Sequence, residues 1–224
     1  MIEQLPNEWQ EKLTQLRFTQ PTAIQKELFT PLSDGTNILG ISPTGTGKTL
    51  AYMWPLLLQL KPKKAQQLLI LAPNSELAGQ SFDVAKTWAT PLGLTPQLLL
   101  SGSSQKRQIE RLKKGPEIII GTPGRIFELV KLKKIKMMSV NTIILDEYDE
   151  LLADSQMGFV TKICKHVPRD HQMVYLSATQ KISQDTLAEG TKVIDLSEQT
   201  NSTVQHCYIT IDRRERLELL RKFA

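Results

Sequence analysis

Cysteine is scarce in this 224-residue chain, which carries only Cys164 and Cys207. Two thiols cannot staple a small disulfide-dense scaffold, and a chain of this length can bury a substantial core without one. Histidine is scarce as well: His166, His171 and His206 stand at no ligand spacing with the cysteines, so no structural zinc site is expected. Apolar runs are short, and none approaches the roughly 20 residues that a bilayer-spanning helix needs. The opening stretch, MIEQLPNEWQ, lacks the basic and apolar regions of a secretion signal, which makes a reducing cytoplasm the expected setting. Neither an internal repeat nor a low-complexity segment is visible.

What is present is the balance of a globular protein, 40% hydrophobic and 23% charged,. The 28 Lys and Arg exceed the 23 Asp and Glu for a net charge of +5, which favours an anionic partner. Lysines cluster at Lys61, Lys63 and Lys64, at Lys113 and Lys114, and at Lys131, Lys133, Lys134 and Lys136. Each cluster reads first as a solvated loop or helix end. Lys106, Arg107 and Arg111 read equally as surface charge or as the flank of a nucleic-acid path.

Short apolar runs at 37–41, 68–71, 95–100, 117–120, 141–145, 173–177 and 192–196 predict strands. Several are rich in Ile, Leu or Val at every position, as in strands buried on both faces. Helices are expected at 6–16, 21–31, 48–59, 75–88, 104–113, 124–131 and 156–165, with Pro21 at the first helical position of the second. Strands alternating with helices give a doubly wound α/β domain with a mostly parallel sheet, whose ligands gather at the carboxyl ends of the strands.

One such strand runs into ISPTGTGKT, residues 41–49. Small residues at Thr44, Gly45, Thr46 and Gly47 let backbone amides curl around phosphates, and a helix opening at Lys48 adds its dipole. Lys48 supplies charge to the β and γ phosphates, and the Thr49 hydroxyl offers an oxygen to Mg²⁺. The P-loop pattern has Gly where this chain has Ser42, a residue small enough for the turn. A P-loop ATPase also needs a carboxylate at the end of a neighbouring strand, and TIILDE, residues 142–147, ends on two. Asp146 is the candidate metal-facing group. Glu147, one residue on, is the candidate for orienting and deprotonating water. ATP and Mg²⁺ are the expected cofactors.

Lys48 together with DEYD, residues 146–149, resembles the first RecA-like domain of bacterial-type DEAD-box RNA helicases, and the likeness covers nearly the whole chain. RFTQPTAIQ, residues 17–25, is similar to the family's adenine-reading motif. The resemblance gives Gln25 the adenine edge and Phe18 the ring face, with Trp9 either a further aromatic or helix packing. An amide pairs bidentately with adenine but not with guanine. APNSELAGQ, residues 72–80, places Pro73 on the RNA side, with Ser75 where the family usually carries Arg. Ser101 and Gly102 stand at the family's paired glycines. TPGR implies that Thr122, Gly124 and Arg125 contact the RNA backbone, with Arg125 as a charged fork. YLSAT, residues 175–179, implies that Ser177 and Thr179 bond to Asp149 and couple nucleotide state to domain closure. Tyr148 replaces the family's usual Ala.

The resemblance implies a first RecA-like domain over 1–200, a linker and strand over 201–212, and over 213–224 the first helix of a second RecA-like domain that is cut off. It implies RNA-stimulated ATP hydrolysis and local duplex opening once that half is present, and near inactivity of this portion alone. Ribosomal precursors or RNA-turnover assemblies are the implied clients. A non-helicase P-loop NTPase and a non-catalytic RNA- or protein-binding adapter are the alternatives.

Overall fold

The computed structural model describes residues 2–153, 156–180 and 182–198. The strand and helix expected within 201–224, and the domain boundary drawn there, lie outside the described residues.

Among the described residues, seven strands form one sheet: β1 (Ile38–Ile41), β2 (Leu68–Leu71), β3 (Pro96–Leu99), β4 (Ile118–Gly121), β5 (Thr142–Leu145), β6 (Gln172–Ser177) and β7 (Lys192–Asp195), in the order β3-β4-β2-β5-β6-β1-β7. Every neighbouring pair is parallel. The five inner strands are buried at every position, which is why they read in the sequence as continuous apolar runs rather than as alternation. At one edge β3 alternates between buried and half-buried residues, and at the other β7 buries only Ile194.

Alternate residues of each strand feed opposite cores, as the two-residue repeat requires. Ile38, Leu68, Ile70, Ile118, Ile144 and Val174 face one side, beneath α1 (Asn7–Gln15), α2 (Ala23–Ser33), α3 (Lys48–Leu57) and α4 (Ser75–Ala89). Leu39, Leu69, Leu71, Ile119, Ile143 and Leu145 face the other, beneath α5 (Gln105–Leu112), α6 (Pro123–Lys131), α7 (Tyr148–Ala153) and α8 (Met157–Cys164). The doubly wound sheet is therefore as expected from the sequence. Between β1 and β2 the chain crosses two sheet positions, those of β6 and β5, and the crevice at such a crossing is where α/β sheets gather ligands.

An aromatic row fixes the first helices. Trp9 meets Trp88 edge-on at 5.5 Å, Trp88 meets Trp54 at 5.4 Å, and Trp54 meets Phe18 at 5.7 Å. These spacings and steep angles are favourable for ring quadrupoles. Two local features differ from expectation. Thr22 takes the N-cap of α2, so Pro21 stands before the cap rather than at the first helical position. The acids that follow β5 open α7, a helix too short for its apolar period to register in the sequence,.

Gly121 ends β4 beside Leu99, and a Cβ there would stand 2.2 Å from the Leu99 carbonyl oxygen. Backbone cannot yield as a flexible side chain can. Replacing Gly121 with Ala should lower the unfolding free energy by about 1–3 kcal/mol, read as a lower urea midpoint. An unchanged midpoint would contradict this β3–β4 register.

Candidate functional site

The loop between β1 and α3 turns on Gly45 and Gly47, whose φ angles of +82° and +86° lie in the left-handed region. At Gly47 a Cβ would also come within 2.5 Å of Gln25 Nε2, so glycine is needed there for space as well as for conformation. The Ser42 hydroxyl donates to Thr46 Oγ1 at 2.7 Å, and the Thr46 hydroxyl donates to the Pro43 carbonyl at 2.8 Å. The residue that departs from the P-loop pattern thus ties the loop across itself. Thr44 and Gly45 are exposed, and Thr49 is half-buried in the first turn of α3.

Lys48 is only 6% exposed. Its ammonium donates to the Ser42 carbonyl at 2.9 Å and lies 3.7 Å from Glu147 Oε1. Loop and acidic turn thereby meet at one end of the sheet. The Asp146 amide continues the ladder to Leu71, which carries its side chain past the end of β5. Asp146 Oδ2 accepts from the Tyr52 hydroxyl at 2.8 Å and from the Ser81 hydroxyl at 3.1 Å, and Oδ1 accepts from the Glu147 amide at 3.2 Å. Burial raises the Asp146 carboxyl above its ordinary value, opposed by those hydroxyls and by the Lys48 charge,. Glu147 is also raised by burial, against the pull of Lys48. Its φ of +47° is left-handed, a strained conformation for a residue with a side chain,. Tyr52 and Ser81 were not foreseen from the sequence. Tyr52 stands four residues after Lys48, a hint visible only once α3 is known to bury that face.

The adenine end is less open than expected. Gln25 is 1% exposed; its Oε1 accepts from the Thr22 amide at 3.0 Å and its Nε2 donates to the Gly47 carbonyl at 3.4 Å. Each amide atom keeps one further hydrogen-bonding site, so an adenine contact needs this buried group to be uncovered rather than its present bonds to break,. Phe18 is half-buried, edge-on to Trp54. Trp9 is corrected to core: it is fully buried, and its indole N–H donates to the Trp88 carbonyl at 2.9 Å.

Three stretches assigned to RNA gather on the other side of the loop end. Thr122 precedes α6, with Pro123 in its first turn and Gly124 half-buried, while Gly102 is exposed at φ +81°. Arg125 is corrected from a free fork to an internal brace. Its guanidinium donates to the Leu100 carbonyl at 3.2 Å, the Ser103 carbonyl at 3.4 Å and Glu128 Oε2 at 2.9 Å. Pro73 is buried, and its carbonyl accepts from Gln156 Nε2; it shapes the surface instead of presenting a side chain. Ser75 is exposed at the start of α4.

The expected bonds from Ser177 and Thr179 to Asp149 are not formed. Ser177 Oγ donates to the Thr179 carbonyl at 2.9 Å and accepts from the Thr179 amide at 3.1 Å, a local turn that satisfies both groups. Asp149 Oδ1 is buried and has no hydrogen-bond partner among the described residues. Tyr148 points away from these hydroxyls. Its buried ring lies 4.9 Å from that of Tyr175, and its hydroxyl donates to Thr186 Oγ1 at 3.0 Å. Tyr175 in turn accepts from the Ala188 amide at 3.0 Å, so two phenols pin the segment that follows β6.

A phosphate-shaped loop, a buried lysine and two carboxylates at one end of a parallel sheet define a P-loop nucleotide-binding domain of RecA-like fold. The particular family follows from the comparisons. The family model for the DEAD/DEAH box helicases matches residues 22–187, and the chain belongs to that family. It is 41% identical over 214 residues to the "Probable ATP-dependent RNA helicase YfmL" of Bacillus subtilis, covering 92% of this chain and 57% of that protein. Against the DEAD-box ATP-dependent RNA helicase CshC of Bacillus cereus it is 38% identical, covering 92% and 54%. The chain therefore spans little more than half the length of these relatives. Among solved structures, a DEAD box protein from Methanococcus jannaschii superposes with a TM-score of 0.81 at 26% identity, covering 98% of this chain and 61% of the other. Saccharomyces cerevisiae Dbp5 bound to RNA and ADP BeF3 superposes with a TM-score of 0.74 at 26% identity, covering 86% and 50%.

Replacing Tyr148 with Phe removes one hydroxyl and should destabilise the chain by about 1 kcal/mol. Replacing it with Ala also opens a cavity and should cost about 3–5 kcal/mol, both read by urea unfolding. Equal effects would mean that the ring contributes nothing beyond its hydroxyl. For Arg125, replacement with Ala should speed limited proteolysis within 100–103, because the two loop carbonyls lose their donor. A cleavage rate equal to wild type would return Arg125 to the surface.

Proposed function

We propose that this chain is the ATP-binding half of an RNA-dependent ATPase that locally unwinds or remodels RNA duplexes. The observation that carries the reading is the meeting of Lys48 with Asp146 and Glu147 at one end of the sheet. Family membership supports it, and the yeast neighbour was solved with both RNA and an ADP complex.

The residues fit Mg²⁺-bound ATP. Gly45 has open space on its Cβ side, the α3 N-terminus faces the loop, and hydroxyl and carboxylate oxygens are the donors Mg²⁺ prefers. Thr49 and Asp146 would hold the ion, which when bound neutralises phosphate charge and orients the β and γ groups. Thr44 to Thr49 would cradle phosphates through backbone amides, with Lys48 as the fixed cation. Tyr52 and Ser81 hold the Asp146 carboxylate in one orientation. Glu147 would take the proton from attacking water, as a raised carboxyl suits a general base better than an ordinary one. Phe18 and Gln25 would meet the adenine, Gln25 through the second lone pair and the second N–H of its amide. Asp149, whose buried oxygen is free to accept, would receive Ser177 or Thr179 when the SAT turn rearranges with nucleotide and RNA.

RNA would lie along Gly102, Thr122 and Gly124, held mostly by its sugar–phosphate backbone, so base sequence matters little. The arginines that stabilise the transferring phosphate would come from a second RecA-like domain. Lacking them costs several orders of magnitude in turnover, and this chain alone should be nearly inactive. Cytoplasmic ribosomal precursors or RNA-turnover assemblies are the proposed settings.

The test is phosphate release by the longer protein that includes the second half. RNA should stimulate it strongly, and Glu147→Gln should lower the stimulated rate about 100-fold or more. A rate indifferent to RNA would overturn the reading in favour of a non-helicase P-loop NTPase, a rate indifferent to Glu147→Gln would remove that carboxylate as the base, and no phosphate release at all would favour a non-catalytic adapter.

A further inference from the structure

Beside Gly124 lies a surface that the backbone-contact reading does not use. Phe127 on α6 and Phe159 on α8 stand with ring centroids 5.8 Å apart at 42°, and Phe159 is 37% exposed. Two ammonium groups attend them. Lys162 Nζ lies 5.6 Å from the Phe127 centroid and 5.9 Å from that of Phe159, and Lys131 Nζ lies 5.8 Å from Phe127. The neighbouring carboxylate, Glu128, is already held by Arg125 and by Gln105, so the patch keeps its positive character. A pocket of about 490 Å³ opens between these rings, Gly124 and Lys131.

We propose that this patch is a stacking platform for one unpaired RNA base, which leaves the strand held at Thr122 and Gly124. The inference rests on the RNA reading above and adds a base contact to a surface otherwise confined to sugar and phosphate. An unpaired nucleotide is the ligand that offers a π face to the rings and a phosphate to the ammonium groups in the same unit. A base within a duplex has both faces covered and cannot enter. An apolar peptide would leave two ammonium groups at its contact without counter-charges, which is why a nucleotide is favoured over a protein partner.

Continuity with the backbone-contact surface supports the assignment. A Cβ at Gly124 would stand 3.9 Å from Phe159 Cε2, so the turn and the ring share one rim. Gln156, just before α8, donates to the Pro73 carbonyl, tying the helix that carries Phe159 and Lys162 to the second candidate RNA turn. Because every base has a π face, the platform should prefer unpaired over paired RNA without reading sequence.

The test uses this chain at low ionic strength with a fluorescein-labelled ten-nucleotide oligoadenylate, and with a ribose-phosphate strand of equal length that lacks bases. Anisotropy should show Phe159→Ala and Phe159→Leu binding the oligoadenylate about five- to tenfold more weakly than wild type. Both variants should bind the abasic strand as wild type does. Gly124→Asp should weaken binding to both strands, which reports the backbone contact separately. Thermal melts matching wild type would show that the Phe159 variants are folded, and Lys162→Gln, at an exposed position of α8, should weaken binding to both strands because its ammonium meets phosphate. If Gly124→Asp weakens binding but Phe159 and Lys162 variants do not, the platform is overturned while the RNA reading stands. If Phe159→Ala weakens intact and abasic strands equally, the ring does not stack bases and the platform is overturned. If no form of the chain binds either strand, both readings fall together.

Discussion

The buried ammonium of Lys48 is the constraint around which this end of the molecule is arranged. A charge so far from water needs fixed partners, and losing one leaves it uncompensated at a cost of several kcal/mol. Its partners are the Ser42 carbonyl and the Glu147 carboxylate, which come from the ends of β1 and β5. Those strands are not neighbours; β6 lies between them. Because β5, β6 and β1 all run parallel, both carboxyl ends lie at the same end of the sheet, and the helices on both faces carry the chain back for each strand,. Glu147 takes its left-handed φ at this same turn, with its carboxylate 3.7 Å from the Lys48 ammonium.

Around this centre, hydroxyl groups do the positioning. Ser42 and Thr46 close the phosphate loop, Tyr52 and Ser81 fix Asp146, and Ser177 closes the turn after β6. Ser42 N also donates to the Ser177 carbonyl at 3.1 Å, so the phosphate loop and the SAT turn share a backbone bond. Tyr148 adds a second tether on the far face, holding the segment after the SAT turn through Thr186. The place where the family usually carries Ala therefore carries a ring whose hydroxyl is bonded to the segment after β6.

Much of this was legible in the sequence. The strands announced themselves because burial on both faces leaves unbroken apolar runs, as at Ile118–Gly121, and the loop because Gly45, Gly47 and Lys48 follow such a run. Asp146 and Glu147 were legible by their place after IIL. What the sequence hid were interactions set by tertiary proximity. Nothing local marks Ser81 as a partner of Asp146, 65 positions away. Arg125 reads as a phosphate fork until the Leu100 and Ser103 carbonyls are seen to engage it, and Trp9 reads equally as ligand or core until Trp88 is beside it. Gln25 combines both cases: its motif is readable, yet the backbone bonds that occupy its amide depend on where Gly47 folds. The aromatic pair Phe127 and Phe159 joins two helices whose contact no periodicity predicts.

The most direct measurement is a calorimetric titration of this chain with ADP and, in parallel, GDP in the presence of Mg²⁺, repeated on Lys48→Ala. ADP should bind more tightly than GDP, and its binding should be lost with the lysine. Heats for ADP that are unchanged by Lys48→Ala would contradict this, because the nucleotide would then be held somewhere other than the loop that the buried ammonium organises.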